Sequence, residues 1–126
     1  MNRSNEEDAL KTLLRGYVEP LTDEKLQRQV WIEGQWEKWT TFDELYMNFC
    51  DYCEPILEEP DKYPLTTEQL SEIKILYDLI EDFDDKNPDI ATVEDYKKVL
   101  SDPMWKNIQS QAKTVLSKFK SSDQTM

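Results

Sequence analysis

Three groupings of residues in this chain could do chemistry. Cys50-Asp51-Tyr52-Cys53 is a C-x-x-C, a spacing used for thiol–disulfide exchange or for half of a metal site. Asp51-x-x-Glu54 and Glu81-x-x-Asp84 set carboxylates three residues apart, so each pair shares a helix face, as a two-metal site requires. Asp85, Asn87 and Asp89 stand at positions one, three and five of a calcium loop. Each grouping also has a plainer reading. Both sulfurs fall within the apolar stripe of a helix, away from its N-terminus, and no His and no third Cys exists to complete a zinc site. The cysteines therefore read as core residues. The calcium pattern has Ile90 where position six needs Gly and Tyr96 where position twelve needs a bidentate Glu, which leaves a solvated acidic loop.

The paired carboxylates are the more serious enzymatic candidate. Their arrangement resembles the E-x-x-E … E-x-x-D pattern of the all-helical nucleotide pyrophosphohydrolases. That resemblance implies magnesium held against a triphosphate by Asp51, Glu54, Glu81 and Asp84. Asp51 departs from the family's Glu, and no basic cluster lies nearby for phosphate. Among twenty-seven carboxylates the plainer reading is an acidic helix surface on which the two pairs stay apart. The absence of His removes the side chain most used for proton transfer near neutral pH. No catalytic residue, metal or cofactor is expected on this reading.

The distribution of charge is more telling than its sum. Residues 43–95 hold seventeen Asp/Glu and three Lys, a net of −14, whereas residues 1–42 carry −2 and residues 96–126 carry +4. Such a field attracts a basic protein and repels nucleic acid, phosphates and anionic membrane. The expected contact residues lie in this middle: Asp51, Glu54, Glu58 and Glu59 along one helix, then Asp78, Glu81 and Asp82 on the next. Asp84, Asp85 and Asp89 follow into the acidic loop. Tyr52, off its helix's main stripe, and Tyr63, between Pro60 and Pro64, are the aromatics expected to be exposed beside them.

Two glycines in 126 residues, with apolar spacings of three and four, predict a mainly α, single-domain bundle of five or six helices. The ends, 1–5 and 121–126, read as loose. A first helix is predicted over 6–18, ending before Pro20, and Thr22 is a candidate cap for a second. Residues 30–39 allow two readings: a short β-hairpin around Gly34, or a second helix continuing to about Ile32 with Gly34 as its left-handed stop. Thr41 and Thr66 open helices in capping-box patterns, with Pro55 expected to kink the last turn of the first. Ile75 and Leu79 give the Thr66 helix a second apolar side, which predicts a central position. Thr92 and Ser101 or Asp102 then cap a short helix and a final one. Three tryptophans, Trp31, Trp36 and Trp39, are expected mostly in the core.

The N-terminus has no apolar leader-like run, and no stretch approaches the roughly 18 to 20 apolar residues that span a bilayer, so a soluble, cytoplasmic protein is expected. The segment Trp39-Thr40-Thr41-Phe42-Asp43-Glu44-Leu45 and the acidic run Tyr77-Asp78-Leu79-Ile80-Glu81-Asp82 sit in a small, acidic, helical chain. In that character the chain resembles the immunity proteins of bacterial polymorphic-toxin and contact-dependent growth inhibition systems. The resemblance implies a non-enzymatic inhibitor that occludes a toxin domain, often a basic nuclease. The alternatives are a phage or plasmid protein that mimics nucleic acid, and the magnesium-dependent hydrolase.

Overall fold

Apolar residues three and four apart, punctuated by Ser, Thr and Asp caps, produce six α-helices and no strand among the described residues. The computed structural model describes the backbone of residues 2–124 and the side chains of residues 5–120. Much of the expectation of loose ends therefore concerns residues outside the described ones. The helices are α1 (Asn2–Thr12), α2 (Glu24–Trp31), α3 (Phe42–Glu58), α4 (Thr67–Lys86), α5 (Val93–Ser101) and α6 (Pro103–Gln124). None of them is long and apolar enough to cross a membrane.

The predicted first helix breaks into three geometries. After Thr12 the chain widens into a π-helical stretch, Leu13–Val18, closed by the Glu19 amide donating to the Leu14 carbonyl, and then tightens into a 3-10 turn, Glu19–Thr22. Pro20 explains the change. It has no N–H for the Gly16 carbonyl, and its ring would clash with that carbonyl in a continuous α-helix. Thr22 does not cap α2; its hydroxyl donates to the Glu19 carbonyl, and Asp23 accepts from the Leu26 amide instead. No hairpin forms at 30–39. Gly34 takes φ +76° just beyond α2, and the Gln35 amide folds back to the Gln29 carbonyl, so the glycine is a left-handed stop.

The other helix starts follow their caps. Thr66–Gln69 and Thr92–Asp95 form complete capping boxes, and Thr41 accepts from the Glu44 amide. Asp102 accepts from the Met104 amide ahead of α6, with Pro103 at the first helical position. Pro55 lies inside α3, which continues to Glu58.

The most extensive packing is α4 on α6, with α3 on the other flank of α4. At the centre a column of rings joins five helices. Trp31 stacks on Tyr96 at 4.8 Å and Trp39 at 5.4 Å, and meets Trp105 at 5.7 Å. Trp105 touches Phe83 at 5.3 Å, and Phe83 meets Phe42 at 5.7 Å. Trp31 and Trp105 are fully buried, whereas Trp36 is exposed and touches Tyr96 edge-on. Ile75 is also exposed, so only Leu79 of the expected second apolar side of α4 packs against the core.

One buried polar residue ties this core together. Gln27 donates to the Pro20 and Leu21 carbonyls at 2.9 and 3.0 Å and accepts from the Trp105 indole and the Gln109 amide, both at 3.0 Å. Every hydrogen-bonding position of its amide is engaged. Gln27→Leu should therefore destabilise the protein by about 2 to 4 kcal/mol, because it leaves buried donors and acceptors unpaired. Urea denaturation measures this directly, and a loss below 1 kcal/mol would show that the network is not a structural keystone.

Candidate functional site

The acidic middle of the chain folds into α3 and α4, and their side-chain pairing runs antiparallel. Tyr46 on α3 donates its hydroxyl to Glu81 Oε2 on α4 at 3.1 Å. Two turns further along α3, Glu54 accepts from the Tyr77 hydroxyl at 3.0 Å. Between them the Cys50 thiol donates to the same Glu81 oxygen at 3.5 Å. The ligand-type atoms of Cys50, Glu54 and Glu81 all lie within 4.8 Å of one another. The expectation that the two carboxylate pairs stay apart is thus corrected for Glu54 and Glu81. Asp51 sits one residue round the helix, exposed, outside this group.

The core holds the groove in place. Phe42 stacks on Tyr46 at 6.2 Å, so the ring column ends at the tyrosine that donates to Glu81. The Phe42 amide, otherwise an orphan donor in the first turn of α3, gives its hydrogen to the Tyr96 hydroxyl at 3.0 Å.

The groove gathers negative charge without a cation. Burial first, then Asp85, Asp43 and Glu81, push the Asp84 carboxyl above its usual range. Burial, then hydrogen bonding to Glu81, pushes the Cys50 thiol up to about 12, and burial raises Cys53 as well. Burial and the adjoining carboxylates raise Tyr46 and Tyr77. All four therefore stay protonated near neutral pH, and Tyr46, Cys50 and Tyr77 act as neutral donors. Both cysteines are buried and unbridged, and a protonated thiol is a poor nucleophile and a poor metal ligand. Glu54 and Glu81 are the carboxylates best placed to share a cation, but the soft Cys50 sulfur between them is ill matched to magnesium.

The three lysines of the acidic middle are all engaged elsewhere: Lys62 with Glu59 at 2.8 Å, Lys74 with Asp78 at 3.2 Å and Lys86 with Asp82 at 3.3 Å. Among the described residues no ion pair reaches Glu54, Glu81 or Asp84. The opposite flank of α4 differs, because α6 supplies partners there. Lys118 pairs with Glu68 at 3.0 Å, and Gln111 donates to Glu72 at 2.8 Å. On the α3 side the corresponding carboxylates have, among the described residues, no cation of this kind.

The expected contact residues are distributed unevenly. Glu81 is brought against Glu54 on one side and acts on Asp84 on the other, and Asp51 and Asp85 are exposed. Asp78, Asp82 and Glu59 are exposed but locally paired, and Glu58 lies at the far end of α3. Asp89 is remote, in a shallow cleft with Lys98. Neither tyrosine is exposed as expected. Tyr52 is half-buried and stacks on Tyr17 at 5.6 Å, and Tyr63 is half-buried against the other side of the bundle. Asp43, Tyr46, Cys50 and Tyr77 belong to the groove although charge alone did not single them out; the i, i+4 spacing of Tyr46, Cys50 and Glu54 was the available signal. Met47, one residue round α3 from Tyr46 and one turn before Asp51, is 61 % exposed. No family model matches the chain, and neither does any curated protein or solved structure.

Asp84 provides a test with a definite sign. Its raised pKa means that ionisation works against the fold at neutral pH, an effect that fades as pH falls through the raised value toward the ordinary carboxylate range near 4. Asp84→Asn should raise Tm at pH 7, and the difference from the parent protein should vanish below about pH 4. Thermal melts across that range check it; equal melting temperatures at pH 7 would mean that the groove is not electrostatically strained.

Proposed function

We propose that the protein is a non-enzymatic binder that occludes a basic protein partner through the α3–α4 face, in the manner of an immunity protein neutralising a toxin domain. The observation that carries this reading is the meeting of Glu54 with Glu81, and of Glu81 with Asp84, without an ion pair to any of the three among the described residues. Like charges held together by packing are relieved when a Lys or Arg from outside enters. The surrounding field adds attraction at a distance, which speeds encounter and discriminates against acidic partners. Exposed Met47 offers the apolar contact that charge alone does not give.

The test is protection. A toxin domain encoded in a neighbouring reading frame is expected on this reading, and co-expression with it should restore growth. The triple variant Glu54→Gln, Glu81→Gln, Asp84→Asn should fold, protect poorly and associate roughly tenfold more slowly at low salt. Full protection by that variant would place the interface elsewhere.

The convergence of Glu54 and Glu81 also gives the magnesium-dependent hydrolase reading a specific observation. It lacks support from Asp51, which stays outside the group, and neutral donors from Tyr46, Cys50 and Tyr77 already occupy oxygens that a metal would need. The expected outcome is no pyrophosphate release from nucleoside triphosphates with magnesium or manganese. Release that disappears on Glu54→Gln or Glu81→Gln would replace the binding reading with the enzymatic one.

A further inference from the structure

Away from the α3–α4 carboxylates, α1, the π-helical stretch, the 60–66 segment, the start of α4 and α6 line an open pocket of about 590 Å³. That volume lies in the range of small-molecule sites, which run from about 300 to 1,000 Å³. Its apolar wall is formed by Leu10, Leu14, Leu65 and Phe119. Lys11 and Arg15 stand on the rim, one helical turn apart, where like charges repel.

Neither cation is paired with a carboxylate. Among the described residues Lys11 and Arg15 make no ion pair, as is also true of Lys25, Lys38, Lys98, Lys113 and Lys120, whereas Arg28 and Lys118 are among seven that do. Glu7 lines the same pocket without pairing to either. Leu14 and Arg15 belong to the π-helical stretch imposed ahead of Pro20, and such stretches recur at functional sites because they redirect side chains from the α-helical register. The polar floor is already committed to the fold: Gln69 closes the capping box with Thr66 and donates to the Lys118 carbonyl at 3.3 Å. An incoming ligand would therefore be oriented by the rim cations and by the apolar wall.

We propose that this pocket binds a small organic anion consisting of an apolar chain or ring and a single carboxylate or comparable head group. The head group lies between Lys11 and Arg15, and the apolar body lies on Leu10, Leu14, Leu65 and Phe119. Glu7 disfavours a second negative charge in the same ligand. The site is separate from the basic-partner surface, and neither depends on the other.

Calorimetric titration of the whole protein with decanoate tests the site. One saturable site with a Kd below about 100 µM is expected, as is reasonable for a ligand of this size. Decanol, which keeps the chain and lacks the charge, and the variant Lys11→Gln, Arg15→Gln should each weaken binding by roughly tenfold, with Tm unchanged in the variant. Amide shifts on decanoate addition should cluster at Leu10, Leu14, Leu65 and Phe119. The proposal is overturned by an absence of saturable binding below 1 mM, roughly the weakest affinity worth calling a site. It is equally overturned by unchanged affinity in the double variant, by shifts centred elsewhere, or by binding to anionic phospholipid vesicles in place of free decanoate.

Discussion

The buried amide of Gln27 is the interaction on which the rest of the architecture depends. The 3-10 turn after Pro20 exposes carbonyls that no helix can satisfy, and a turn of that kind reaches the interior only when a donor meets it there. Gln27 supplies the donor from α2 and turns its oxygen to Trp105 and Gln109 on α6. Three segments distant in sequence are thereby held in one register. Because Trp105 is fixed by this bond, the rings stacked around it inherit the same placement, and a purely apolar residue at position 27 could fill the space without specifying it.

From that fixed centre the packing runs outward to the acidic groove. Trp105 meets Phe42, Phe42 stacks on Tyr46, and Tyr46 holds Glu81. Glu81, half-buried, is therefore held against α3, whereas Glu54 is exposed and tied through the Tyr77 hydroxyl. Their repulsion is opposed by apolar burial, which is the larger effect: a single buried Phe or Leu contributes about 1.5 to 3 kcal/mol, more than a partly solvated like-charge contact costs. Like charges placed in this way are compatible with a stable fold.

Much of the helical framework was legible in the sequence because its signals are local. Thr66 with Gln69, and Thr92 before Val93, announce helix starts within four residues, and Gly34 offers the left-handed stop that ends α2. Cys50 and Cys53 followed the stripe of Phe42, Leu45 and Phe49 into the core. What stayed hidden depends on contacts between distant residues. Nothing near Gln27 shows that Trp105 lies 78 residues away at hydrogen-bonding distance. Tyr52 looked exposed from its place on the helical wheel, yet Tyr17 in the π-helical stretch covers it. The widened turn itself follows from Pro20, but proline alone signals an interruption, not which geometry absorbs it.

The same distinction governs the charge. Summing residues 43–95 predicts a negative field but treats every carboxylate alike, while the fold sorts them by neighbour. On the α6 flank of α4, Glu68 pairs with Lys118 and Glu72 accepts from the neutral Gln111 amide. On the α3 flank, Glu81 and Asp84 meet Asp43 and Glu54 instead. Two of the α6 lysines act across the bundle, Lys106 on Glu24 and Lys118 on Glu68, so the positive charge at the C-terminal end of the sequence is in part a link between helices. Among the described residues no such link reaches the α3 flank of α4, where the neighbours of Glu81 are a neutral tyrosine and thiol and the carboxylate of Glu54.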